Sequence, residues 1–584
     1  MAALSSAMDS MHNIKLGENM NVEYKWNSKY DELIVQFYFQ LTRTNNDEEL
    51  KRMFNVLVIK TFTEKVNIEN IKLFYKLIAN TRDIVAGKGE YSLSYMMISE
   101  LYKFTNSEFC PKTINLKIKA LVYGLVEGLV KLDGDHPYGS WKDMKYLCNY
   151  HISESNRNEF SIENMNDGLI NKIIQLMVSQ LECDEHAPVK SLLARWIPRE
   201  KSDKFGWLTG ILATNYYKEW YNKELNAKLT PQQRSGARRK CLTHFRKLVS
   251  KINKDIETTQ VYQCSSNWQN INFEKNVTSI TMRKQARAFQ NVRKNGTLRN
   301  SIEDRILCKE HYEQYIRDCN SGKVQSKGKR TSLKDFVKDA ILCNDDIEKM
   351  AINSQWKENS CDNNKLKDMI AMVDTSASME CDDCGPLYSA IGLGIRIAEK
   401  SNFGKRVLTF SSEPSWVNLD TFDFVDAVKE VRKAPWGQNT NFRAALELIL
   451  RTALECNVPA PDMQNMTLII LSDMQIDMCR TGDNDVLFET MRKKYAEYNY
   501  NLPHIVFWNL RNTNGFPNLS SEENTSMMSG VSPILLNKFC ENGVDELKSL
   551  TPFEGLKQQL DNKRYKYLEN IVENLWNFQG YDLD

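Results

Sequence analysis

Residues 369–378 read MIAMVDTSAS, in which five apolar residues are followed by one carboxylate and three hydroxyl side chains. Apolar runs of the same length recur at 406–410, 467–471 and 504–508, and residues with helical periodicity separate them. Short apolar strands that alternate with helices are typical of a parallel sheet covered on both faces. The sequence therefore predicts a doubly wound, Rossmann-like α/β domain, in which ligands bind beyond the carboxyl ends of the strands.

Oxygen-bearing side chains from three segments are expected to meet at this edge of the sheet. They are Asp374, Ser376 and Ser378 after the first strand, Thr440 in a later loop, and Asp473 directly after another strand. Hard oxygen ligands of this kind suit Mg²⁺. The alternative is that the aspartate and the serines only cap the following helix, because both residue types are common N-caps.

Cysteine usage favours free thiols. Fourteen cysteines are scattered along the chain without a regular framework, which fits a reducing compartment and makes the cytosol the default location. Cys381 and Cys384 have the spacing of half a zinc site, but no second Cys-x-x-Cys accompanies them. We therefore interpret this pair as two loop thiols.

Upstream of residue 342 the pattern is helical almost throughout. One face of one helix carries Ile118, Leu121, Val122, Leu125 and Leu129. Serial amphipathic helices typically stack as a solenoid or a ring of helix pairs, although no fixed repeat period is visible here. This region is therefore predicted to form a HEAT-like helical-repeat domain.

The chain of 584 residues is long enough for two to four domains. A linker is predicted where the sequence turns polar and charged. The predicted order is a flexible leader (1–22), the helical-repeat domain (23–345), the linker (346–366), the α/β domain (367–546) and a C-terminal helix (547–584).

Positive charge is concentrated in one region. Residues 231–340 contain 24 Lys and Arg against 10 Asp and Glu, a net charge of +14 in a chain whose total is +2. The rest of the chain must therefore carry −12. The near-neutral total hides a strongly polarised molecule whose basic part could bind a polyanion.

The basic residues of this region fall into groups: Arg234, Arg238, Arg239, Lys240, Arg246 and Lys247, then Arg283, Lys284 and Arg287, then Arg293, Lys294 and Arg299. Interleaved with them are Phe245, Trp268, Asn270, Phe289 and Gln290, which offer stacking surface beside guanidinium groups. Single-stranded nucleic acid binding requires such a combination. The alternative is a solvated basic face, or a surface that complements the acidic remainder of the chain.

The five candidate ligands resemble a known site. Asp-x-Ser-x-Ser at 374–378, followed by a loop threonine and a strand-end aspartate, resembles the metal-ion-dependent adhesion site (MIDAS) of von Willebrand factor A domains. The resemblance implies that the two serines bind the metal directly, that the threonine is a switchable ligand, and that the aspartates act largely through water. An acidic group of a partner completes the coordination in that family. Ala377 departs from the pattern, because glycine is common there.

The helical part also resembles a family. Stretches at 81–90 (TRDIVAGKGE), 138–143 (YGSWKD), 191–200 (SLLARWIPRE), 245–248 (FRKL) and 507–511 (FWNLR) are similar to an uncharacterised family of plants, fungi and large DNA viruses. That family joins a helical module like the TROVE module of the Ro autoantigen to a von Willebrand A domain. The resemblance covers roughly residues 25–545 and is more distant for the Ro autoantigen, whose basic helical ring binds RNA. RNA binding is what it implies here.

No catalytic motif is recognisable. A phosphate-loop motif, a His-Glu-x-x-His pair and a Gly-x-Ser-x-Gly elbow are all absent from the sequence. The N-terminus shows no secretion signal and no apolar run reaches 18 residues, so no membrane span is expected. We expect a non-enzymatic RNA-binding protein with a Mg²⁺-dependent partner site. The alternatives are a scaffold protein of a viral particle that captures an acidic partner through the metal, and a hydrolase dependent on Asp374.

Overall fold

The computed structural model describes residues 14–16 and 22–577, apart from gaps inside the second range. The residues outside the description there are 45, 65, 154–166, 227–229, 361–367, 411–412, 436, 438–440, 465, 476–484, 514, 518–519, 522, 533–534 and 536–549. The first described elements are two short strands, β1 (Ile14–Leu16) and β2 (Val22–Tyr24), which pair antiparallel. The predicted leader thus contains β1 and the first residue of β2, and its other residues lie outside the described ranges.

From Tyr30 to Asn320 the described residues are mainly helical, as predicted. Its helices are α1 (Tyr30–Gln40), α2 (Glu48–Phe62), α3 (Ile68–Arg82), α4 (Tyr91–Phe104), α5 (Asn115–Gly128), α6 (Trp141–Ser153), α7 (Gly168–His186), α8 (Leu193–Trp196), α9 (Gly206–Tyr216), α10 (Lys218–Asn226), α11 (Pro231–Asp255), α12 (Thr259–Cys264), α13 (Ser279–Phe289) and α14 (Glu303–Asn320). The apolar stripe predicted within α5 is buried. A HEAT-like repeat order stays a prediction.

The second part contains a sheet of six strands with helices on both faces. The strands are β3 (Met369–Asp374), β4 (Arg406–Phe410), β5 (Ser415–Asn418), β6 (Thr467–Ser472), β7 (His504–Asn509) and β8 (Thr525–Ser529). Their order is β5-β4-β3-β6-β7-β8, and all neighbours are parallel except β4 and β5. The strand order reverses at β3 and β6, since β4 lies on one side of β3 and β6 on the other. The predicted α/β sheet is therefore confirmed, and ligands of such sheets bind at this reversal point.

The two faces of the sheet belong to different cores. Met369, Ala371 and Val373 of β3 face a core formed with α15 (Leu333–Leu342), α16 (Asp346–Ser360), α17 (Cys381–Ala398) and α18 (Phe424–Val431). Ile370 and Met372 face the other side. That side is covered by α19 (Phe442–Glu455), α20 (Ala460–Gln464) and α21 (Asp485–Glu497), and its core is continuous with that of the N-terminal helices. Burial on both faces explains why the strands read as unbroken apolar runs.

The segment predicted as a linker is helical for most of its length. Residues 346–360 form α16, and Trp356 is only 2% exposed. Its ring stacks on Phe424 at 3.8 Å between centroids, and its indole nitrogen donates a hydrogen bond to Glu399 at 2.9 Å. The prediction of a connector was therefore wrong over this stretch. Ala351 and Ile352 are buried as well, but the charged and amide residues between these few apolar positions give the stretch the composition of a linker.

The C-terminal helices pack on the beginning of the same chain. Helices α22 (Pro552–Leu560) and α23 (Lys566–Asn577) both contact α3, and α23 also contacts α5. Between them, Arg564 forms a bidentate ion pair with buried Asp83, with two N–O distances of 3.0 Å, and a further contact of 2.7 Å with Asp135. The C-terminal helices are thus fixed to the N-terminal helical part. Within the described ranges, no helix has the length and apolar character needed to cross a bilayer.

Candidate functional site

Asp374 lies fully buried at the carboxyl end of β3. One of its carboxylate oxygens accepts a hydrogen bond of 2.9 Å from the backbone N–H of Ser376. The other accepts a bond of 2.6 Å from the hydroxyl of Ser472, the last residue of β6. The first bond turns the chain so that Ser376 and Ser378 follow over the sheet edge, and the second ties the two central strand ends together.

The two serines of the predicted site are close together. The Ser376 and Ser378 hydroxyl oxygens are 3.0 Å apart, with Ser376 buried and Ser378 half-buried. Ser376 precedes a 3₁₀ turn at residues 377–380, but its side chain makes no capping hydrogen bond. The simple N-cap interpretation therefore does not account for the Ser376 hydroxyl.

The loop that carries the predicted threonine reaches the same edge. Gly437 forms a parallel backbone bridge with Ser376. Asn441, on the other side of the loop, caps α19 by accepting a hydrogen bond of 3.0 Å from the N–H of Ala444. Thr440 itself lies outside the described residues, so its place as a ligand stays a prediction.

Asp473 follows β6 directly and is also fully buried. Its carboxylate accepts a hydrogen bond of 3.2 Å from the N–H of Gln475 and lies 3.2 Å from the Nε of Arg511. Arg511 stands two residues beyond β7 and also donates a hydrogen bond of 3.5 Å to the thiol sulfur of Cys381. The sequence analysis missed this arginine as a site residue. Its position just past the parallel strand β7 was the available signal, because such positions lie over the same sheet edge.

The strand ends hold two buried carboxylates, and one of them, Asp473, already has the Arg511 guanidinium beside it. Burial, and after it the negative charge of Asp473, raises the pKa of the Asp374 carboxyl. Across the described ranges, no three His, Cys, Asp or Glu side chains are grouped closely enough to hold a metal ion. A cation here would therefore depend on serine hydroxyls and water besides the two aspartates. The oxygen-only donor set fits Mg²⁺.

Acidic residues Asp382 and Asp383 follow this site, and lysines of α15 match the charge of Asp383. Asp383 pairs with Lys338 at 2.7 Å and with Lys334 at 3.8 Å. Cys381 is exposed and Cys384 half-buried. Both lie in the first turn of α17, where Asp382, Asp383 and Cys384 have left-handed backbone angles, and their interpretation as two free thiols stays a prediction.

The first group of predicted basic residues lies on α11. The apolar side of this helix consists of Ala237, Cys241, Phe245, Leu248 and Ile252, all buried, and it faces α7 and α9. The exposed side of the helix carries Arg239, Lys240, Arg246, Lys247, Lys251 and Lys254, and the exposed Arg234 and Arg238 stand at its margin, next to the apolar residues. Among its charged residues only Asp255 is acidic. We call this exposed side the α11 surface.

The other predicted basic residues have different surroundings. On α13, Arg283 is paired with Asp339 and with Asp335 at 3.0 Å, so its charge is already matched. Lys284 and Arg287 on the same helix are exposed. Arg293, Lys294 and Arg299 are exposed in the loop that follows α13.

The predicted stacking residues are mostly not available for stacking. Phe245 is 1% exposed and Phe289 is fully buried, because both anchor helices in the core. Gln290 is buried and donates a hydrogen bond of 3.2 Å to Asp345. Trp268 is half-buried with the guanidinium of Arg305 at 3.5 Å from its ring centre, and Asn270 is exposed. The prediction of a stacking surface was therefore wrong for the two phenylalanines.

Comparison with known proteins gives two matches. Residues 368–573 match the model of a domain of unknown function, DUF7788. The chain is also similar to an uncharacterized protein of Acanthamoeba polyphaga mimivirus, with 26% identity over 543 residues that cover 90% of this chain and 84% of the relative. The viral relative fits the predicted similarity to an uncharacterised family with members in large DNA viruses. Neither description names an activity or a ligand.

Proposed function

We propose that this chain is a non-enzymatic RNA-binding protein, in which the α11 surface contacts phosphates and the ends of β3 and β6 form a Mg²⁺-dependent site for an acidic partner. The observation that carries the proposal is the α11 surface. Eight exposed Lys and Arg side chains stand against one acidic residue on a helix of 25 residues. Such a surface attracts phosphate groups and releases their counterions on binding.

The carboxylates near these cations are few, which supports a ligand outside the chain. Arg246 has a carboxylate neighbour, Glu200, at 3.5 Å, and that pair is exposed. The first turn of α11 contains no acidic residue and carries Arg234. A cation at this end opposes the helix dipole, whereas a bound anion would be stabilised by the dipole and by the arginine together.

The strand ends support the second half of the proposal. Two buried aspartates and two neighbouring serine hydroxyls stand at the reversal point of the sheet, as the resemblance to von Willebrand A domains requires. Ser376 and Ser378 would hold Mg²⁺ directly, with Asp374 and Asp473 acting through water and Thr440 from its loop. The bound ion would supply a positive centre that a carboxylate of a partner can join. The combined plan would resemble that of the Ro autoantigen.

The test of RNA binding compares two sets of substitutions. The first is Arg234→Gln, Arg239→Gln and Lys247→Gln together, all on the α11 surface. The control is Lys323→Gln, Lys433→Gln and Arg451→Gln, which removes the same charge from exposed sites elsewhere. Fluorescence anisotropy with a labelled single-stranded RNA should show an affinity loss of about tenfold or more for the first set only. Equal affinities for both sets would refute the role of α11.

The scaffold alternative is favoured by the strand-end site alone. Pull-downs from cell extract, repeated with nuclease and with chelator, separate the two functions. Partners lost on nuclease treatment indicate RNA. Partners lost only with chelator indicate an assembly protein that captures carboxylates through the metal.

A further inference from the structure

Four cations and four aromatic rings gather on the helical part, apart from the α11 surface. The cations are Lys142 and Lys145 of α6, Arg195 of α8, and Lys204; the rings are Tyr91, Tyr146, Trp196 and Phe205. We call this group the lysine–aromatic cluster. None of its cations belongs to the basic residues singled out from the sequence, because the members of the cluster come from four separate places in the chain.

The three lysines each lie near more than one aromatic ring, and Arg195 lies near the ring of Trp196, the next residue in the chain. The Lys142 ammonium is 5.0 Å from the centre of Tyr146 and 5.9 Å from that of Trp196. The Lys145 ammonium is 5.1 Å from Trp196 and 5.3 Å from Phe205. Contacts within about 6 Å of a ring centre attract a cation. The rings therefore hold both lysines in place.

The cluster contains more positive charge than its carboxylate neighbours can match. In the described part of the chain, none of the four cations forms an ion pair. The carboxylate nearest in sequence, Asp143, is occupied by Arg82, with distances of 2.9 and 2.8 Å, by the N–H of Ser140 at 2.7 Å, and by Tyr95. The charge of the cluster is thus left for a ligand.

Partial burial makes the unmatched positive charge of the cluster unfavourable. Burial lowers the pKa of the Lys142 and Lys145 ammonium groups. The charge of Lys142 adds to the effect on Lys145, whereas the Asp143 carboxylate partly opposes the effect on Lys142. Burial also lowers the pKa of Arg195. Half-buried cations that lack an anion gain stability when one arrives. A bound phosphate would supply it.

The rings remain accessible beside these charges. Tyr91 is 43% exposed, and Tyr146, Trp196 and Phe205 are half-buried. An open cleft of about 780 Å³ continues from Arg195 and Trp196 to Arg246 and Lys254 of α11. The cleft joins the cluster to the α11 surface, so one extended ligand can reach both.

We propose that the lysine–aromatic cluster binds a nucleotide of single-stranded RNA, with a base against the rings and the adjoining phosphates on Lys142 and Lys145. This inference rests on the proposed RNA-binding function and adds the place where bases are contacted. An acidic peptide would use the cations alone. The half-open rings favour a base, because every base can stack on an aromatic face.

Two measurements test the cluster on the full chain. In the first, an RNA containing 4-thiouridine is cross-linked to the protein, and the labelled peptides are identified by mass spectrometry. Labels are expected on the peptides that carry Tyr146, Trp196 or Phe205. In the second, Lys142→Gln with Lys145→Gln should weaken RNA binding about tenfold or more and reduce the salt slope by about 1.4, from two lost phosphate contacts. Lys323→Gln with Lys433→Gln is the control.

A ring substitution separates stacking from charge. Trp196→Phe keeps an aromatic face and should retain affinity, whereas Trp196→Leu should lose about tenfold, since one stacked base contributes about 1–3 kcal/mol. Circular dichroism verifies that each variant is folded. If Lys142→Gln with Lys145→Gln does not fold, the cross-link positions in the wild type decide the question alone.

The possible failures are distinguishable. If wild-type protein binds no RNA at low salt, the proposed function fails and this inference fails with it. If RNA binds and the α11 substitutions weaken it, but the cluster substitutions match their control and cross-links lie elsewhere, only this inference is overturned. Saturable binding of uridine monophosphate that depends on Lys142 and Lys145, without an effect on RNA, would make the cluster a mononucleotide site. If polyglutamate displaces the cross-links and unlabelled RNA does not, the cluster is a protein-binding site. Either the mononucleotide result or the polyglutamate result refutes the inference.

Discussion

The carboxylate of Asp374 accepts a hydrogen bond of 2.6 Å from the hydroxyl of Ser472, which lies 98 residues later in the chain. The bond spans the ends of the two central strands and places Asp374 next to Asp473. Two buried carboxylates in such proximity repel each other when both are ionised. This arrangement explains why the strand ends are a suitable place for a cation and leads to three predictions about them.

Mg²⁺ should stabilise the wild-type protein. A ligand present at 100 times its dissociation constant adds about 2.7 kcal/mol to the free energy of unfolding. Thermal unfolding in Mg²⁺ and in chelator should therefore differ for the wild type, whereas Asp374→Asn should unfold at the same temperature in both. Asp133→Asn, at an exposed loop position, is the control and should respond as the wild type does. An equal Mg²⁺ response in Asp374→Asn would contradict the site.

The stability of the metal-free protein should depend on the protonation of Asp374. Its folded-state pKa is raised by burial and by Asp473. The contribution to stability is therefore complete below the unfolded-state pKa of about 3.9 and is lost as the pH rises through the raised folded-state value. In chelator, the difference in unfolding free energy between Asp374→Asn and wild type should grow in favour of the variant as the pH increases. Chemical denaturation across this pH range measures the difference, and a constant difference would refute the prediction.

Arg511 should act as an internal positive charge for Asp473. Its Nε lies 3.2 Å from the Asp473 carboxylate. Arg511→Gln removes that charge, so Mg²⁺ should bind about tenfold more tightly by calorimetry, because one cation no longer weakens the attraction of another. The same variant should be less stable in chelator, because a buried carboxylate has lost its partner. Unchanged Mg²⁺ affinity together with unchanged stability would show that Arg511 has no such role.

The ion pair between Arg564 and buried Asp83 should contribute strongly to the free energy of unfolding. Arg564→Ala leaves Asp83 buried without its bidentate partner, and breaking a buried pair in this way costs about 3–5 kcal/mol. Arg564→Lys should recover only part of this loss, because an ammonium group cannot reproduce the two parallel contacts. Lys566→Ala, which removes an exposed pair with Glu569, is the control and should cost less than about 1 kcal/mol. Urea denaturation measures all three, and equal losses in Arg564→Ala and the control would contradict this account.

The features that the sequence predicted are those determined by local pattern. The run before Asp374 identifies a strand buried on both faces, and the polar residues after it mark the carboxyl end of that strand. Asp374 and Asp473 could be placed together because the topology of doubly wound sheets is restricted. Spatial neighbours without a local pattern could not be found. Arg511 could be placed at the same sheet edge from its position after β7, but its pairing with Asp473 could not, since that depends on β7 lying beside β6.

Burial and pairing also remove several residues from the surface on which the sequence had predicted them. Phe245 has basic neighbours in sequence, yet helical periodicity turns it into the core while Arg246 and Lys247 remain outside. Trp356 anchors a helix in a stretch whose composition resembles a linker. Arg283 has the charge that phosphate binding requires, but α15 supplies its carboxylate partners. In each case a tertiary contact, absent from the local pattern, determines the role of the residue.

The salt dependence of RNA binding tests the central claim most directly. Anisotropy titrations of wild-type protein with a labelled single-stranded RNA of about 12 nucleotides should be made between about 50 and 200 mM salt. The account predicts measurable binding at low salt and a linear fall of log affinity with log salt, with a slope of about −0.7 for each phosphate contact and therefore steeper than about −3. The α11 substitutions should reduce this slope by about 2. No binding at low salt, or a slope near zero, would contradict the proposal that the basic surface of this protein binds RNA.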